Sequence, residues 1–96
     1  MDIDIEVLKE IEAEDIKSQI YSSIAIIKQT FSTLDSVKVT VEYDPEIQDK
    51  KVFELHLTVS GDPQKVFEDE LRFKDALYQK LDKRSLSFIT ITYAWK

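Results

Sequence analysis

The sequence predicts one α+β domain over residues 1–96, a two-layer sandwich with the βαββαβ order of ferredoxin-like folds. Two segments repeat apolar residues at helical spacing, and others alternate apolar and polar residues as half-buried strands do. With 96 residues, 43% of them apolar and 33% charged, the chain is long enough to bury a core of its own. Such folds serve many unrelated functions, so the fold class alone predicts no activity.

Residues 2–8 are predicted to form the first strand. Acidic residues occupy most even positions of this segment and apolar residues most odd ones, a period typical of a strand with one buried face. Ile11 and Ile16 are also out of phase on a single helix, which favours a strand before the first helix. Because residues 8–14 are rich in helix formers, the alternative is a helix over residues 2–14, which gives the order αββαβ with a three-stranded sheet.

The net charge of −6 is concentrated at the N-terminus, because the first sixteen residues contain seven acidic residues and one Lys. An acidic chain lacks the basic face that binds nucleic acid. The N-terminus does not resemble a secretory signal, and no apolar stretch is long enough to span a membrane. With no Cys, neither a disulfide nor a thiolate metal site is possible. We therefore expect a soluble cytoplasmic protein that binds neither nucleic acid nor membranes.

The first helix is predicted over residues 16–31, followed by a hairpin of two strands. Apolar residues of the helix recur at steps of three or four: Ile16, Ile20, Ile24, Ile27 and Phe31. In the hairpin, residues 37–43 and 53–60 alternate apolar and polar side chains, so each strand has one buried face. The connection between them is longer than common hairpin loops and is predicted to be solvated.

The second helix is predicted to begin at Pro63, after a turn at Gly61. Asp62 is the predicted N-cap, and proline at the first helical position loses no hydrogen bond. The inward surface is predicted to consist of Val66, Phe67, Phe73, Leu77, Tyr78 and Leu81. Three consecutive acidic residues are predicted to form a solvated face: Glu68, Asp69 and Glu70.

A candidate metal site is predicted on the solvated face of the sheet. If the first and third strands are central, four possible ligands lie together: Asp4, Glu6, Glu54 and His56. Carboxylates with one imidazole suit a divalent cation, so one hypothesis is a metal- or ligand-binding regulator or hydrolase. The spacing is not that of a known metal motif, however, which favours a surface histidine near acidic residues.

No catalytic residue and no cofactor are predicted. The chain has no Cys, its serines lack the flanking glycines of a nucleophile elbow, and its single Gly cannot build a phosphate-binding loop. A non-enzymatic protein is therefore favoured over an enzyme.

The final strand, residues 86–95, is predicted to lie at an edge of the sheet. Residues 87–93 have high β propensity and contain no charge and no Pro, a composition that aggregates when an edge is bare. We therefore expect a homodimer or a protein partner to pair with this strand. The predicted interface residues are Leu86, Phe88, Thr90, Ile91 and Thr92. The leading hypothesis is a protein-interaction or homo-oligomerisation module, and the alternative is that the strand is interior.

Overall fold

A computed structural model describes residues 2–43 and 51–96, with the side chain of Asp2 left out. The predicted hairpin connection over residues 44–50 lies outside the described residues. The elements follow in the order β1 (Asp2–Ile3), α1 (Ile5–Ala13), α2 (Lys17–Thr30), β2 (Leu34–Tyr43), β3 (Lys51–Val59), α3 (Pro63–Lys80), α4 (Lys83–Ser87) and β4 (Ile89–Trp95).

The strands form one mixed sheet in the order β1-β2-β3-β4. The neighbours β2 and β3 are antiparallel, whereas β1 is parallel to β2 and β4 is parallel to β3. The predicted α+β class is confirmed. The ferredoxin-like order is not, because it makes the first and third strands central, whereas here β2 and β3 are central. Since β1 has only 2 residues, the arrangement is closer to the αββαβ alternative.

The acidic N-terminal segment is mostly helical, so the predicted strand over residues 2–8 is wrong beyond its first two residues. Val7 and Ile11 lie one turn apart on α1, and both are buried. Asp15, with φ of 56°, then separates α1 from α2. The phase break between Ile11 and Ile16 therefore marks a turn between two helices rather than the end of a strand.

Lys51, the first residue of β3, binds the acidic helix to the sheet. Its Nζ lies 2.6 Å from a carboxylate oxygen of Glu10 and 3.2 Å from one of Glu14. Hydrogen bonds to Glu10 and then Glu14 raise the pKa of Lys51, although its partial burial acts in the opposite direction. Part of the N-terminal negative charge is therefore neutralised within the fold.

The core lies between the helices and one face of the sheet. From Val37 onward the odd-numbered residues of β2, and those of β3, point toward the helices, as the period of a strand requires. The buried strand residues are Val37, Val39, Phe53, Leu55, Leu57 and Val59. The buried helical residues that pack on them include Ile11, Ile20, Ile24, Ile27, Phe73 and Leu77. The predicted stripe of the first helix is thereby confirmed as the core face of α2.

Asp69 is fully buried, contrary to the prediction of a solvated acidic face on α3. One carboxylate oxygen accepts hydrogen bonds from the backbone N–H and the Oγ of Ser32, at 3.2 and 3.1 Å. The other oxygen binds Lys65 at 3.3 Å and also Arg72. Burial alone would raise the pKa of Asp69, but the hydrogen bonds from Ser32 and Lys65 lower it overall. Because Ser32 follows the end of α2, this carboxylate joins α2 to α3.

Replacing the buried carboxylate tests this junction. We expect Asp69→Asn to lower the free energy of unfolding by about 2 kcal/mol, because charge-assisted hydrogen bonds are lost in a buried site. Urea unfolding measures the loss. The matched control is Glu68→Gln on the exposed side of the same turn, which should stay within about 0.5 kcal/mol of the native chain. Equal stability of the two variants would contradict the role of Asp69.

The lowered pKa of Asp69 also predicts a pH dependence. Because this pKa lies below the unfolded value of about 3.9, the carboxylate stabilises the fold above that pH. The stabilisation is lost as the pH falls through the folded pKa. Urea midpoints measured from pH 6 down to pH 2 should fall less steeply for Asp69→Asn than for Glu68→Gln. Parallel curves would show that another acid controls this transition.

Candidate interaction edge

The C-terminal strand begins at Ile89 rather than at Leu86, because α4 occupies the segment before it. The Asp82 side chain caps α4 by accepting a hydrogen bond from the Ser85 N–H at 2.8 Å. Hydrogen bonds from Ser85 lower the pKa of Asp82. Ser85 itself is buried, which holds the short helix against the domain. The cap signal at Asp82 is therefore what shortens the predicted strand.

The C-terminal strand lies at an edge of the sheet as predicted, since among the strands of residues 2–43 and 51–96 β4 pairs with β3 alone. The Phe53 N–H donates to the Phe88 carbonyl at 2.6 Å, and the Lys96 N–H donates to the Val59 carbonyl at 2.9 Å. These bonds fix a parallel ladder in which even-numbered residues direct their backbone groups toward β3. The backbone N–H and C=O groups of Ile89, Ile91, Tyr93 and Trp95 therefore point away from β3.

Side chains of β4 divide between the two faces of the sheet. Ile89, Ile91 and Tyr93 lie on the helical side and are half-buried. Trp95 continues this side but is 51% exposed. Burial of the Tyr93 phenol, together with the nearby charge of Glu70, raises its pKa well above the usual range. The side chains from Ile89 to Tyr93 therefore hold the strand against the helical layer, whereas its C-terminal end at Trp95 is exposed.

The five residues predicted as an interface occupy three different settings. Leu86 lies in α4, and Phe88 follows that helix with the Arg84 guanidinium 5.2 Å from its ring centre. Thr90 and Thr92 are exposed and Ile91 is half-buried, all three on β4. The structure brings together the strand residues, but it does not place all five on one face of the sheet.

A groove runs between β4 and α3, with a volume of about 350 Å³. The helix lines it with residues spaced one turn apart, including Glu70, Lys74 and Tyr78, and α4 adds Leu86. Ile91 contributes to the strand side of the groove. The groove therefore opens along the outer edge of the sheet.

An exposed apolar stripe on α3 was missed at the sequence level. Phe67, Leu71 and Tyr78 are 57%, 54% and 63% exposed, so assigning Phe67 and Tyr78 to the inward surface is wrong. With Lys74 they follow a spacing of four, three and four, which places them on one side of the helix. This stripe adjoins the groove residues rather than the α2 contact at Asp69. The signal in the sequence is that α3 has two sets of apolar residues at helical spacing. One set, Val66, Phe73 and Leu77, is buried, and the second set lies on a different side of the helix.

The outer face of the sheet carries a polar row centred on His56. The Thr40 hydroxyl lies 2.7 Å from Nε2 of His56, and the Thr92 hydroxyl lies 2.7 Å from Nδ1. A carboxylate oxygen of Glu54 is 3.2 Å from Nε2. Because each hydroxyl can donate or accept, the two threonine contacts are satisfied in either tautomer of the imidazole, whereas the Glu54 carboxylate can only accept from a protonated Nε2. The row therefore links β2, β3 and β4 through side chains.

The four predicted metal ligands are divided between two places. Glu54 and His56 meet on β3, but Asp4 precedes α1 and Glu6 lies in its first turn. The reason is that the N-terminal segment is a helix instead of a central strand. Across residues 2–43 and 51–96, no group of three or more His, Asp or Glu side chains is arranged to hold a metal ion.

Comparison with known proteins gives no match to a family model, to a curated protein or to a solved structure. Within the part of the chain that the structure describes, no helix has both the length and the apolar character needed to cross a membrane.

We expect the outer face of the sheet not to form a specific Zn²⁺ site. Glu54 and His56 supply two ligands, whereas protein zinc sites use about three or four. We expect titration calorimetry with Zn²⁺ to show no saturable binding that depends on His56. The comparison is between the native chain and His56→Ala. Saturable binding that this variant abolishes would contradict the expectation.

Proposed function

We propose that this chain is a non-enzymatic protein-interaction module whose β4 edge accepts a strand from another polypeptide. The observation that carries the proposal is the backbone direction of β4. Alternate residues present their N–H and C=O groups outward along an edge that is flanked by a groove lined mainly by apolar side chains. Strand addition uses such groups for affinity and uses adjoining pockets for specificity.

The composition of β4 supports this use of the edge. The strand Ile89–Trp95 has no charged residue and no Pro, so it lacks two of the devices that discourage pairing at an edge. The other edge differs, because β1 pairs there at Lys38 and Val39 and α1 packs close to β2. The two edges of the sheet are therefore unequal, and β4 is the better acceptor.

The outer face supports a metal-dependent function less well. Its imidazole is already engaged by Thr40 and Thr92, and Asp4 and Glu6 lie elsewhere. A strand acceptor requires only the backbone groups and the groove that are described above.

A peptide probe tests strand addition directly. The probe is residues 87–96 of this chain with appended lysines for solubility, added to labelled protein dilute enough to sediment as a monomer. We expect amide exchange at Ile91 and Tyr93 to slow, because their N–H groups become hydrogen-bonded to the peptide. Nuclear magnetic resonance measures the exchange rates residue by residue.

Two substitutions at one position separate backbone pairing from side-chain packing. Ile91→Pro and Ile91→Ala both remove the isoleucine side chain, but only proline removes the outward N–H. We expect Ile91→Pro to bind the probe about tenfold more weakly than Ile91→Ala, since roughly 1.4 kcal/mol corresponds to tenfold. Unchanged exchange at about 1 mM probe, or equal affinities of the two variants, would overturn the proposal.

A further inference from the structure

We propose that the strand that fills the β4 edge is β4 of a second copy of this chain, paired antiparallel about a two-fold axis at Thr92. This inference rests on the proposed function and names its partner. A two-fold interface uses the same patch on both subunits, so the patch must complement itself. Self-complementarity is present in three features: the sequence of β4, its outward backbone groups and the helix α3 beside it.

The strand is symmetric about Thr92 in the way that such pairing needs. With Thr92 opposite its own copy, Ile91 lies opposite Tyr93 of the partner subunit, and Ile89 lies opposite Trp95 of the partner subunit. These residues have outward-facing backbone groups, so every outward N–H and C=O of Ile89–Trp95 meets a partner. The register therefore uses the whole length of the strand.

Side-chain chemistry favours a second copy over a charged peptide. All seven residues of β4 are uncharged, so pairing two copies brings no like charges together. A charged peptide in the same place would find no opposite charge on β4. On the helical side, aromatic residues meet β-branched ones, which are favourable cross-strand pairs. The pairing also covers Trp95, which is 51% exposed in the single chain.

The groove and the α3 stripe extend the contact beyond the strands. A two-fold axis perpendicular to the sheet keeps both helical layers on the same side, so each α3 faces the α3 of the other copy across the seam. Phe67, Leu71 and Tyr78 are more than half exposed on the side of α3 that adjoins the groove. Strand pairing alone covers a narrow strip, and this apolar area supplies the additional burial of a stable dimer.

Cysteine cross-linking tests the register. The chain has no Cys, so Thr92→Cys introduces a single thiol at the two-fold axis. Thr92 is in a non-hydrogen-bonded pair, where the two Cα atoms lie about 4.5 Å apart, within the range of a disulfide. We expect Thr92→Cys to form a covalent dimer on mild oxidation, detected by non-reducing electrophoresis.

Thr90→Cys is the matched control on the same exposed face of β4. In this register Thr90 lies opposite Ala94 of the partner subunit, and its own copy is about 13 Å away. Thr90→Cys alone should therefore form no covalent dimer, whereas a mixture with Ala94→Cys should cross-link. Efficient cross-linking of Thr90→Cys alone, or none of Thr92→Cys, would overturn the register.

Sedimentation over a roughly hundredfold concentration range tests the dimer itself. We expect the native chain to dimerise and Leu71→Glu to raise the dissociation constant about tenfold or more, because a charge is placed in an apolar contact. The matched control is Ile5→Glu, an equally acidic change at another exposed apolar residue, on α1 beside the other edge. It should leave the dissociation constant unchanged.

The outcomes separate this inference from the proposed function. A native chain that is monomeric throughout, but whose edge amides are protected by the peptide probe, would overturn the second copy as partner and leave strand addition standing. A chain that neither dimerises nor protects its edge amides would overturn both. Equal effects of Leu71→Glu and Ile5→Glu would remove α3 from the interface.

Discussion

Burial of one face of the β2–β3 hairpin is the constraint on which the rest of the domain depends. Phe53, Leu55, Leu57 and Val59 are all fully buried, and they alternate with polar residues that face outward. The period of the strand therefore decides which face receives the helices. Since β1 and β4 join the two sides of this hairpin, their positions are determined by its register and not by contacts with each other.

The two faces of the sheet divide the chemistry of the protein. The helical face holds the core, whereas the outer face carries hydroxyl, carboxylate and imidazole groups that hydrogen-bond across the strands. A polar outer face cannot support a further packed layer, so the domain stops at two layers. Apolar surface that the core does not use is found instead at the margin, on α3 and at the end of β4. The edge therefore offers a partner more apolar surface than the outer face does.

Local patterns in the sequence were sufficient to predict part of this structure. The stripe from Ile16 to Phe31 and the Asp62 cap depend on neighbouring residues, and both are present. The N-terminal alternation was misleading because glutamates and isoleucines at these spacings also suit an amphipathic helix. Asp69 was misassigned because its burial depends on Ser32, which is far away in sequence. The edge position was expected from the ferredoxin-like order, and β4 lies at an edge although that order is not confirmed. The groove depends on how α3 packs beside β4, which local patterns do not determine.

The parallel pairing of β3 with β4 has a consequence for the order of folding. The hairpin joins strands that are close in sequence, whereas β4 reaches β3 only after the chain from Val59 to Ile89 has closed around α3. Contacts between distant residues carry a larger loop-closure entropy and form more slowly. The uncharged strand β4 is therefore among the last elements to pair with the sheet during folding. Uncharged segments of high β propensity pair with one another when they are exposed, so chains crowded at that stage misassemble most readily through these seven residues.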